Sequence, residues 1–143
     1  MMLEEQDHRA LARWAADCAE HVLPYFENEY PEDERPRIAV EAGRAWSRGE
    51  IRMSEARAAA ISAHAAARDA YEPAARAAAR STGHAAATAH MAAHAPHAAA
   101  YAVKAVTGAA STNSDAATDK ERDWQYQRLP KHLRPVAFIR PRQ

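Results

Sequence analysis

The chain has 143 residues, in which 19 basic and 19 acidic side chains cancel, and hydrophobic residues make up 48% but aromatics only 7%. This balance argues against a strongly basic nucleic-acid-binding domain, and the lone Cys18 rules out an internal disulfide and a cysteine zinc site. The apolar content is mostly alanine, broken by Arg57, Arg68, Arg76 and Arg80, so no run of about twenty apolar residues could cross a membrane.

The N-terminus, Met1-Met2-Leu3-Glu4-Glu5, shows no basic segment followed by an apolar one, so the chain reads as cytoplasmic. Asp7 is the expected cap of a first helix of roughly five turns. Leu11, Trp14, Cys18, Val22 and Tyr25 recur at spacings of three and four and so share one stripe. Arg13, Asp17 and Glu20 fall opposite, and Pro24 kinks or closes the helix. An acidic connector follows from Glu27 to Glu34. Asp33 caps a second helix with Pro36 in its first turn; Ile38, Ala42, Ala45 and Trp46 form its apolar face, and Gly49 stops it.

From Ser54 to Val106 the chain is alanine interrupted by arginine and histidine, with Pro73, Gly83 and Pro96 as the breakers. Alanine has the highest helix propensity because it loses no side-chain rotamer freedom. Ser54 caps a third helix through Ala56, Ile61 and Tyr71, and Pro73 opens a short fourth ending near Ser81. A fifth runs from near Thr82 toward Val106, with Pro96 either kinking or splitting it. Residues 109–116 form a flexible polar loop, a last helix spans about Ala116 to Arg128, and Pro130, Pro135 and Pro141 make 129–143 an extended tail. Leu133, Val136, Phe138 and Ile139 should pack that tail onto the bundle. No stretch alternates as a strand would. The expectation is a single all-α domain, 1–143, of five to seven alanine-rich helices.

Two clusters stand out as candidate sites. On a continuous helix His90, His94, His97, Tyr101 and Lys104 fall within roughly 80° of one another. Histidines at i and i+4 chelate a divalent metal from one face, and His64 or His84 can complete the set from a neighbouring helix. The same stripe reads equally as the wet polar face of an apolar helix. The second cluster is the connector, where Glu27, Glu29 and Glu32 interleave with Tyr25, Phe26 and Tyr30. Carboxylates beside aromatics suit a basic protein partner, and the alternative is a solvated loop whose aromatics anchor the core.

Cys18 has His21 three residues on, but it lies in the middle of the apolar stripe, where cysteine behaves as a small hydrophobe. Trp14, Trp46 and Trp124 are the large pieces of the core. No glycine-rich phosphate loop, serine elbow or paired-carboxylate motif is present, so no catalytic residue and no required cofactor is assigned.

One string, from His8-Arg9-Ala10-Leu11-Ala12-Arg13-Trp14 through Cys18-Ala19-Glu20-His21-Val22-Leu23-Pro24, is distinctive. So are Arg35-Pro36-Arg37, Glu41-Ala42-Gly43-Arg44-Ala45-Trp46, Ala86-Ala87-Thr88-Ala89-His90-Met91 and Leu129-Pro130-Lys131-His132-Leu133-Arg134-Pro135. Together they resemble the Imm-five-like family of bacterial immunity proteins. The resemblance implies an all-helical, non-enzymatic protein that occludes a cognate toxin, with the acidic connector (Glu27, Glu29, Tyr30, Glu32) as the surface to examine. It lends no catalytic residues. A small-molecule or metal-binding self-resistance protein, built on His90, His94, His97 and Tyr101, is the rival reading. A scaffold subunit that self-associates through alanine faces is the third.

Overall fold

A computed structural model describes residues 3–138. The elements are α1 (Glu5–Val22), α2 (Pro24–Glu27), α3 (Arg35–Ser47), α4 (Met53–Asp69), α5 (Pro73–Ala87), α6 (His94–Ala109), α7 (Ser114–Arg128), a 3-10 turn (Lys131–Leu133) and α8 (Arg134–Ala137). No strand occurs among the described residues. The fold class is all-α, as the composition implies.

Helix α5 is the centre of the arrangement and packs against α1, α3, α4 and α6. Its sequence explains why. Ala75, Ala77, Ala78, Ala79, Ala85 and Ala86 are buried, so small apolar residues surround the axis on every side. A helix apolar all round belongs in the interior. Its neighbours come close because nothing larger than a methyl keeps them apart. At Gly43 of α3 an added Cβ would stand 3.3 Å from the carbonyl oxygen of Ala85, so glycine sets how near α3 lies to α5.

The polar residues inside α5 satisfy themselves against backbone. Ser81 Oγ donates to the Ala98 carbonyl at 2.7 Å, and Thr82 Oγ1 to the Ala79 carbonyl at 2.7 Å. No buried side-chain nitrogen or oxygen among the described residues lacks a partner. This is why α5 continues through Ser81, Thr82 and Gly83, where the sequence suggested a boundary. The break comes later, at Thr88–Ala93, and α6 starts at His94. Pro96 therefore sits in the first turn of α6, where its missing N–H falls among the groups that have no intrahelical acceptor. It neither kinks nor splits a helix.

Other boundaries shift for similar local reasons. Helix α1 begins at Glu5 and has the expected five turns, but Asp7 lies inside its first turn and accepts from His132 Nε2 at 2.9 Å. Helix α4 begins at Met53, one residue before the expected Ser54, and the Arg52 N–H is satisfied by Glu55 Oε1 at 3.0 Å. On α3 the buried set is Pro36, Ala39, Val40, Gly43 and Ser47, while Ile38 is 50% exposed. The face is rotated from the expected Ile38–Ala42–Ala45–Trp46 stripe because the close approach at Gly43 decides which side meets α5. Helix α4 ends at Asp69, short of the expected Tyr71, and Ile61 and Tyr71 are 61% and 86% exposed.

Helix α6 extends to Ala109 and α7 begins at Ser114, so the connecting loop is shorter than 109–116. Asn113 takes a left-handed conformation (φ 52°), and its side chain caps α7 by accepting from the Ala116 N–H at 3.3 Å. After Leu129 the chain makes two single helical turns instead of running extended. Leu133 and Ala137 are buried, Val136 is exposed, and the expected Ile139 contact lies outside the described residues.

Of the three tryptophans only Trp14 is a full core piece, 2% exposed. Its Nε1 donates to the Gln125 carbonyl at 2.8 Å, and Phe138 meets it edge-on at 5.5 Å, which ties α1 to α7 and to the C-terminal turn. Trp46 is partly covered by Arg9 and His8 at the surface, and Trp124 by His21. Replacing Trp14 by alanine should lower unfolding free energy by about 3–5 kcal/mol. Phenylalanine, which fills most of the volume but leaves the Gln125 carbonyl unpaired, should cost about 1–3 kcal/mol. Urea titrations of the two variants check both values.

Candidate functional site

The acidic connector is held by the chain's own arginines. Arg37 of α3 donates from Nε and Nη2 to the two oxygens of Glu27, at 2.7 and 2.8 Å. Arg35 clasps Asp33 at 2.9 and 2.7 Å and reaches Asp69 of α4 at 3.1 Å. These pairs hold the Glu27 and Asp33 carboxyls below the usual carboxylate range, through the hydrogen bond to arginine in each case. The carboxylates of the proposed set thus divide: Glu27 belongs to an ion pair, while Glu29 and Glu32 are exposed.

Tyr30 is the pivot. Its hydroxyl donates to Glu72 Oε1 at 2.6 Å and accepts from the Tyr71 N–H at 2.7 Å, while its ring rests on the buried Phe26 at 5.2 Å. The bond to Glu72 raises the phenol above its ordinary range and lowers the Glu72 carboxyl. One side chain therefore fixes the connector to the α4–α5 junction. Tyr71, at that junction, stands 86% exposed, and Tyr25, Glu29 and Glu32 are also at the surface. The sequence ran the third helix through Tyr71, but α4 ends at Asp69. The signal that could have corrected this is Pro73, whose ring restricts the residues just before it and ends α4 short of Tyr71.

The histidine stripe is rearranged. His90 lies in the turn before α6 and is exposed, so it leaves the set. His94, His97 and Tyr101 do share α6, and they meet His84 of α5 and His64 of α4, the two neighbours that the sequence offered. His84 Nδ1 faces His94 Nδ1 at 3.0 Å. The His84 ring stacks on Tyr101 at 5.3 Å, faces His97 at 5.3 Å and meets His64 edge-on at 4.9 Å. Burial, then neighbouring positive charge, pushes His84 down to about 3 and His64 to about 4. Among the described residues no group of three or more His, Cys, Asp or Glu has the arrangement to hold a metal ion. The rings contact one another; they do not converge on a common point.

A third polar cluster was not anticipated. Glu121 of α7 is 3% exposed, accepts from Gln125 Nε2 at 3.0 Å, and lies 2.9 Å from His21 Nδ1. His21 stacks on Trp124 at 3.7 Å. Burial raises the Glu121 carboxyl, and burial followed by Glu121 raises the Cys18 thiol well above its ordinary value. A raised thiol pKa is the reverse of what a nucleophile needs, so Cys18 is the small buried hydrophobe that its position suggested. The legible sign of Glu121 was the spacing of four between Ala117, Glu121 and Gln125, the one inward line available on a mostly polar helix.

A groove of about 970 Å³ between α6, α7 and the C-terminal turns is floored by Ala99 and Val103 and edged by Tyr126, Arg122 and Arg134. No connector residue and no histidine lines it. No helix among the described residues is long and apolar enough to cross a membrane.

Residues 1–132 match the family described as "Imm-5 like putative immunity protein". The chain belongs to this family. The match takes in every element from α1 to the turn after α7, including the connector and the histidine seam. Neither the curated proteins nor the solved structures contain a match. The family description implies a toxin as partner in general terms.

Glu121→Ala should cost about 2–3 kcal/mol, because it leaves a buried Gln125 N–H unpaired and opens a cavity. Glu121→Gln keeps an acceptor without a desolvated charge and should stay within about 1 kcal/mol of the parent. Denaturant midpoints of the two variants at neutral pH distinguish them.

Proposed function

We propose that this chain is a cytoplasmic bacterial immunity protein that binds a cognate toxin and neutralises it by occlusion, without chemistry of its own. The docking surface in this reading is the acidic connector, Glu27, Glu29, Tyr30 and Glu32, extended by Tyr71 and Tyr25. Family membership supports the class of function. The observation that carries the surface is Tyr71, a large aromatic 86% exposed whose backbone N–H is held by the connector's Tyr30.

The physical reasons are specific. Tyrosine offers a broad amphipathic area with few rotamers to freeze, and tyrosines dominate binding hot spots. Glu29 and Glu32 supply charge that steers a basic partner without being buried. Glu27 acts differently, through its pair with Arg37, by keeping the connector on α3. Tyr30 positions Tyr71 by accepting from its backbone N–H. A surface set in advance by such bonds loses little entropy on docking. The basic character of the partner follows from charge complementarity.

The test is co-purification with the product of the neighbouring toxin gene, followed by binding kinetics. Tyr71→Ala should weaken the complex by roughly thirty-fold, mainly through faster dissociation, in keeping with loss of a hot-spot residue worth about 2 kcal/mol. Glu29→Lys with Glu32→Lys should slow association by about tenfold at low salt, with the difference shrinking as salt rises. Unchanged toxin neutralisation by both variants would remove this surface from consideration.

A further inference from the structure

The seam where α4, α5 and α6 meet holds rings that must be neutral to stay where they are. Arg80 Nη1 lies 2.9 Å from His64 Nδ1. A guanidinium only donates, so this nitrogen must carry a lone pair, and the His64 ring must be uncharged. His84 Nδ1 and His94 Nδ1, 3.0 Å apart, can share one hydrogen: one ring donates and the other accepts. One added proton can sit on the donor ring's Nε2 and keep that bond, but once both rings are protonated two N–H groups point at each other. The His64 ring also has no room to withdraw into α5, since a Cβ on Gly83 would stand 2.7 Å from its Nε2.

No acid stands ready to accept the positive charge. Facing the seam are Arg68 from α4, Arg80 from α5, His97 and Lys104 from α6, and His90 from the preceding turn. All are cationic or become so on protonation. The chain carries no Asp or Glu between Glu72 and Asp115. On α4 the carboxylates are Glu55, in the first turn beside Arg52, and Asp69, paired with Arg35. The His21–Glu121 cluster shows the opposite solution elsewhere in the molecule, an imidazole given a carboxylate at 2.9 Å.

We propose that this histidine seam is a proton-operated lock: neutral rings hold α4, α5 and α6 together, and protonation of His64 and of the His84–His94 pair opens the seam. The device is independent of whichever partner the protein binds. Both His64 and His84 are pushed below the ordinary 6.5, to about 4 and about 3, by burial first and neighbouring cations next. A histidine whose pKa is lower in the folded state takes up protons preferentially when unfolded. The contribution is therefore complete above pH 6.5. It declines as pH falls below that value and continues to decline toward the folded-state values.

The experiment uses the full chain and two readouts. In a histidine-ring NMR titration from pH 8 to 5, His64 and His84 should stay neutral throughout. The thermal midpoint should fall by roughly 5–10 °C between pH 7.5 and 5.0, a window chosen above most carboxylate titrations. In His64→Gln combined with His84→Phe, which keeps a ring against Tyr101, that fall should be less than half as large. Rings of His64 and His84 titrating near 6.5, or an undiminished fall in the double variant, would overturn the lock. Should the variant not fold, the ring titration of the parent decides alone. A midpoint at pH 7.5 that rises with equimolar zinc and drops with a chelator would also overturn it, because the nitrogens would then be metal ligands.

Discussion

The distance between α5 and its neighbours is the constraint on which the rest depends. Alanine, glycine and serine line that helix, so the surrounding helices approach until backbone limits them, as at Gly43 against the Ala85 carbonyl. A core this thin gains less from each buried side chain than one built of leucine. What it gains instead is many close dispersion contacts and little rotamer entropy to lose. It also leaves no space for large groups at the centre. Trp14, Phe26, Leu11 and Leu23 sit on α1 and its continuation, and the bulky polar rings collect along the α4–α5–α6 seam. Close packing thus decides both where the molecule is anchored and where its polar clusters lie.

This constraint explains which features the sequence disclosed. The class of fold was legible because alanine at that density favours only one secondary structure. The first stripe was legible from Leu11 to Val22 because large residues mark a face. On α3 the face was misread, since Ile38 looks like an anchor when alanine and glycine are among the true contacts. Where the smallest residues make the interface, hydrophobicity points the wrong way. Boundaries failed for a related reason. Pro96 and Gly83 resemble breakers, yet one falls in a first turn and the other lies beneath a histidine ring. Ser81 and Thr82 resemble an end until their hydroxyls are seen to bond backbone inside the bundle.

The candidate sites were legible in part, and the division follows the range of the contacts involved. The connector was visible as a local run of acids and aromatics. Its internal pairing was not, because Glu27 and Arg37 are ten residues apart and Tyr30 reaches Glu72 across forty-two. The histidines were visible as a stripe on one helix. Their actual company, His64 and His84, depended on how three helices meet, and one residue of the stripe left when the helix proved to start at His94. Glu121 escaped attention because its only sign, a spacing of four with Ala117 and Gln125, is faint on a helix that is otherwise polar. Spacing reveals a face; it does not reveal what the face touches.

Zero net charge conceals a segregation along the chain. Acids are absent from the stretch between Glu72 and Asp115, which supplies α5 and α6, whereas Glu27, Glu29, Glu32, Asp33 and Glu34 crowd one short connector. The two regions handle this in opposite ways. Arginines brought in from α3 neutralise the base of the connector and leave its outer carboxylates to solvent, so the surplus charge faces outward where it can act on another molecule. In the seam no counter-charge is supplied, and the only way to avoid repulsion is for the imidazoles to remain uncharged. A carboxylate among those rings would have stabilised the protonated state and fixed the seam at every pH. Its absence makes the interior sensitive to protons, while the ion-paired base of the connector keeps the surface rigid. The same total charge, divided this way, separates an outward-facing acidic surface from a seam whose rings carry no counter-charge.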